Sequence, residues 1–77
     1  MPFSLNAYPE IIDCEILIDE EFVFHRQLSI LTINDPHSLR AYIANNLLGH
    51  TDIDGYWCAD VYNMLDGETL AAIESSF

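Results

Sequence analysis

Carboxylate pairs such as Asp13 and Glu15 in this chain of 77 residues could serve as general acid and general base. Such work needs a cleft, and a chain this short has little room to enclose one. A nuclease would also need cations to hold its substrate's phosphates, and the chain has only Arg26 and Arg40 and no lysine. Ser29, Ser38, Ser75 and Ser76 have no base or oxyanion donor at a recognisable spacing, and no glycine-rich loop could cradle a phosphate. The sequence therefore predicts a protein that is not an enzyme.

Metal chemistry fares no better. Laying Gly55 on the sixth position of a calcium-binding EF-hand loop places Asp52 and Asp54 correctly at the third and fifth. The first position is then His50 and the twelfth Val61, so the first acidic ligand and the bidentate glutamate are both missing. Cys14, Cys58 and the three histidines lack the short spacings of structural zinc sites. A hairpin folded about Asp19-Glu20 would set Cys14 opposite His25, which reads as a packing pair, since two ligands do not make a site. No cofactor is expected. The N-terminus shows no signal-peptide pattern, so the two cysteines are expected as buried free thiols in a cytoplasmic protein. Apolar runs of at most four residues predict no membrane span.

The elements that would position these groups can be read from periodicity. Ile12, Cys14, Ile16 and Ile18 alternate with Asp13, Glu15 and Leu17, a period of two that predicts a half-buried strand. Asp19-Glu20-Glu21 forms a turn, and Phe22–Ile33 reads as a second strand, with Arg26 marking a bulge or an edge. Asn34-Asp35-Pro36 opens a helix with Leu39, Tyr42, Ile43 and Leu47 on one face and Gly49 at its end. Trp57, Val61, Met64 and Leu65 predict a second helix over Tyr56–Leu65. Asp66 would then cap a third, carrying Leu70, Ile73 and Phe77. Residues 1–9, with Pro2 and Pro9, read as an extended lead-in. The expected fold is a single α+β domain spanning residues 1–77, an antiparallel β-hairpin packed by two or three short helices (ββααα).

Charge carries the rest. Thirteen Asp and Glu against two Arg give a formal charge of −11, which cannot be neutralised within the chain. Hydrophobic content of 51% argues against disorder, so the charge belongs to a folded surface. Glu10, Asp13, Glu15, Asp19, Glu20 and Glu21 crowd the first strand and its turn. Asp13 and Glu15 would leave one face about 6.6 Å apart, on the scale of successive phosphates in a nucleic-acid strand. Asp52, Asp54, Asp60, Asp66 and Glu68 form a second group. Ordinary solvated faces mix both signs, and this one does not. Such a surface repels nucleic acid and anionic lipid but suits the basic groove of a nucleic-acid-binding protein, where complementary potentials speed association. Tyr56, Trp57, Tyr62 and Tyr8 could supply grip, Tyr56 as the exposed one and Trp57 more in keeping with a core position.

This profile of a short, acidic, aromatic-bearing chain without catalytic motifs resembles the phage-encoded inhibitors of host defence nucleases. That group includes the anti-CRISPR proteins, anti-restriction proteins and the uracil-DNA glycosylase inhibitor; the anti-CRISPR proteins fit its length best. The resemblance implies a DNA mimic that binds a Cas effector or another defence nuclease through the acidic residues named above and Tyr56. Alternatives are an immunity protein or antitoxin masking a basic toxin, or an adaptor that dimerises through an apolar face. A monomer and a homodimer both remain open.

Overall fold

The computed structural model describes residues 10–76. Two antiparallel hairpins build one four-stranded sheet: β1 (Ile11–Ile18), β2 (Phe22–Ser29), β3 (Cys58–Asn63) and β4 (Thr69–Glu74), in the order β2-β1-β3-β4. Between the hairpins the chain forms a single helical turn, α1 (Ile30–Ile33), the helix α2 (Pro36–Asn46) and a 3₁₀ turn, Leu48–His50. The α+β class and the first hairpin match the sequence reading. The lead-in expected at residues 1–9, the grip expected of Tyr8 and the place given to Phe77 on a third helix lie outside the described residues.

β1 is central because both of its edges are paired: Ile16 faces Phe24 on β2 and Val61 on β3. Its period of two sends Cys14, Ile16 and Ile18 to the helix-covered face, each fully buried, with Leu28, Ala59 and Val61 from the neighbouring strands. Ile33, Leu39, Ile43, Leu47 and Trp57 complete this core. Leu39, Ile43 and Leu47 are fully buried on the predicted face of α2, and Trp57 is a core residue.

Local signals set the ends of the elements. Asp35 caps α2: its Oδ1 accepts from the His37 N–H at 3.2 Å and its Oδ2 from the Ser38 hydroxyl at 2.8 Å. The Ser38 hydrogen bond, aided by the His37 N–H, holds the Asp35 carboxyl below its ordinary range. A group whose folded pKa is depressed stabilises above its unfolded pKa and loses that contribution as pH falls through the folded one. Asp35→Asn should therefore flatten the melting-temperature profile on the acid side of the normal aspartate range, as a series of pH-dependent melts would show.

The second strand ends earlier than predicted, at Ser29. Its side chain accepts from the Leu31 N–H at 3.1 Å and starts α1.

The second and third predicted helices are strands instead. Trp57, Ala59 and Val61 are buried while Cys58 is exposed and Asp60 and Tyr62 are half-buried, a period of two within the segment read as helical. Asp66-Gly67, read as a helix break and cap, is part of a hairpin turn. Gly67 has φ 77°, its N–H donates to the Asn63 carbonyl at 2.7 Å, and Asp66 Oδ1 accepts from the Glu68 N–H at 2.9 Å.

In the first hairpin, Asp19 and Glu20 take φ 55° and 56°, closing the Glu21 N–H to Ile18 carbonyl bond at 3.0 Å. Asp19 suits this left-handed turn and is held there: its N–H donates to the Cys58 carbonyl at 2.8 Å, and its Oδ1 accepts from the Cys58 N–H at 2.9 Å. Glu20 has no such compensation. Glu20→Gly should stabilise the domain by about 1 kcal/mol by removing left-handed strain, read as a higher denaturation midpoint with an unchanged m-value.

Candidate interaction surface

Among the described residues, none packs over the face of the sheet turned away from the helices, here the open face. Strand alternation places Asp13, Glu15 and Leu17 of β1 on it, with Val23, His25 and Gln27 of β2, Cys58, Asp60 and Tyr62 of β3, and Ala72 and Glu74 of β4. Asp60, expected on a helix, stands opposite Leu17 and so lies diagonally from Glu15, a neighbour distance of about 7–8 Å. The structure thus joins Asp13 and Glu15 from the first acidic group to Asp60 from the second.

Two contacts orient these carboxylates. Gln27 Nε2 donates to Asp13 Oδ1 at 2.9 Å. His25 Nε2 lies 3.6 Å from Glu15 Oε1, both side chains being about half exposed. Cys14, by contrast, pairs with Arg26 and not with His25. The register is one residue off the predicted one, so thiol and imidazole point to opposite faces and the expected packing pair does not form.

At the hairpin-tip end of this face, Tyr56 is 59% exposed, as expected. Its hydroxyl donates to Glu74 Oε1 at 2.7 Å and accepts from the Cys58 thiol at 3.2 Å. The Cys58 bond, followed by the one to Glu74, raises the Tyr56 phenol well above its usual range. Asp19, Glu20 and Glu21 are exposed at the same end, while Asp52 and Asp54 are exposed in the loop leading to β3. Asp66 and Glu68 sit at the opposite end, in the β3–β4 turn, the end at which the Met64 N–H donates to the Asp13 carbonyl at 3.0 Å.

Residues missed by the sequence reading are His25, Gln27, Leu17, Val23, Cys58 and Glu74. Applying a period of two to residues 57–61 would have found Cys58. Among the described residues, no three His, Cys, Asp or Glu side chains converge as a metal site would need, and no helix is long and apolar enough to cross a membrane.

Neither cysteine is in a disulfide. Cys14 is buried as expected, whereas Cys58 is exposed because it begins β3 on the open face. Burial, with the Asp13 charge adding to it, pushes the Cys14 thiol up. Native protein should therefore give one fast-reacting thiol with a small disulfide reagent, lost in Cys58→Ser, with the second appearing only on unfolding.

The charge is not spread evenly. From Phe22 to Thr51 the single carboxylate is Asp35, and both arginines and all three histidines fall in that stretch. Beside the start of β1, a groove of about 600 Å³ is lined by Glu10, Ile11, Ile12, Asp13, Asn63, Met64 and Leu65, with Leu65 90% exposed. No protein-family model, curated protein or solved structure matches the chain.

Proposed function

We propose that this chain is a non-enzymatic inhibitor that occupies the basic nucleic-acid-binding surface of a protein partner in the manner of a DNA mimic. A CRISPR-Cas effector or another defence nuclease is the partner its profile suits. One observation carries the reading: Asp13, Glu15 and Asp60, from segments far apart in sequence, share the sheet face turned away from the described helices in a chain with no lysine. Carboxylates on a pleated face are fixed in spacing, as phosphates along a strand are, and present charge without rearrangement. Leu17, Val23 and Tyr62 between them offer apolar contact.

The test is competition. Partner captured from a host lysate on immobilised protein should be displaced by duplex DNA and released as salt rises. Capture that duplex DNA leaves untouched would overturn the reading. The groove edged by Ile11, Met64 and Leu65 favours a second one, an adaptor held through apolar contact. Binding through that groove would persist at high salt and fail in Leu65→Asp.

A further inference from the structure

Among the described residues the sheet ends at β2 on one side and at β4 on the other, and the chain's only two arginines each reach an edge. The Ile30 N–H donates to the Glu10 carbonyl at 2.8 Å, which fixes the phase of β2. Phe22, Phe24, Arg26 and Leu28 therefore direct their backbone groups toward β1, while Val23, His25 and Gln27 direct theirs outward. Arg26 Nη1 donates to the His25 carbonyl at 2.8 Å, an outward acceptor midway along that edge. The same guanidinium lies 5.5 Å from the centre of the Phe24 ring, which keeps it folded back on its own strand.

On β4 the Ser75 N–H donates to the Trp57 carbonyl at 2.9 Å, so Ile73 and Ala71 point inward and Ala72 and Glu74 outward. Arg40 Nε, from α2, donates to the Glu74 carbonyl at 2.7 Å. At the other end of β4 the register jumps, Val61 facing Ala71 and Tyr62 facing Thr69, which leaves Leu70 as the extra residue of a bulge. Ala72 is the residue left between a bulge and a capped carbonyl.

We infer that Arg26 and Arg40 are edge guards, which occupy outward carbonyls of the two terminal strands and keep a second copy of this chain from extending the sheet. An incoming strand would have to donate to the carbonyls these guanidiniums hold, and would bury a cation to do so.

The experiment exploits an opposition of signs. Arg26→Ala with Arg40→Ala makes the chain more negative, so repulsion alone predicts a protein that self-associates less. Loss of edge guards predicts the reverse. Sedimentation velocity should show the double variant associating at about a tenfold lower concentration than the parent, the worth of roughly one net hydrogen bond. Hydrogen exchange should show new protection at the Val23, His25, Gln27 or Ala72 amides. Arg26→Gln with Arg40→Gln, which retains a donor without charge, should remain as monomeric as the parent. The inference is overturned if the alanine variant stays monomeric, if it associates with protection lost throughout the sheet rather than gained at its edges, or if the glutamine variant associates equally.

Discussion

Asp13→Lys combined with Glu15→Lys is expected to weaken binding to a basic partner by about a hundredfold, since like charges set against each other across an interface cost several kcal/mol. Both side chains leave β1 on the open face, so neither substitution enters the core. The Gln27 and His25 contacts they give up are at the surface, where such pairs are worth about 0–1 kcal/mol. Circular dichroism should match the parent while isothermal titration with the captured partner shows the loss. A smaller penalty at higher ionic strength would mark the effect as electrostatic. Undiminished binding by this variant would exclude the β1 face as the contact and leave the turn at Asp19–Glu21 or the loop at Asp52 and Asp54.

Ile16→Ala should have the largest effect on the fold. Ile16 is fully buried at the middle of the central strand, between Phe24 and Val61. Truncating such a side chain costs about 2–5 kcal/mol, and a single core of this size leaves only about 3–5 kcal/mol in all. The variant should be largely unfolded at room temperature by circular dichroism, whereas Ile16→Val should cost about 1 kcal/mol and melt cooperatively. A cooperative melt for Ile16→Ala close to the parent's would mean that the core is not centred on β1.

What could be read in the sequence was decided by how many local signals agreed. β1 had clean alternation, a turn of three acids, and a partner segment rich in aromatic and β-branched residues. α2 had a capping aspartate, a proline at its first position and a continuous apolar face. The second hairpin carried two periods at once. Trp57, Val61, Met64 and Leu65 fit a helix, while Trp57, Ala59 and Val61 fit a strand. Alanine is too small to weigh as a core residue until its neighbours are known. The deciding term was tertiary, because a lone two-stranded hairpin is marginal in water and β1 needed a second partner. That same error split the acids into two patches, since Asp60 reaches Glu15 only through the β1–β3 ladder. Register was the other blind spot. A one-residue offset in the first hairpin exchanged Cys14–His25 for Glu15–His25, and so moved the imidazole from the expected packing partner to the acidic face.

Twelve of the thirteen acids lie outside the stretch from Phe22 to Thr51 that supplies β2 and the helical layer. A body charged in this lopsided way carries a permanent dipole moment as well as a net charge. In the field of a cationic neighbour it experiences a torque before contact, and it arrives already turned rather than tumbling through unproductive approaches.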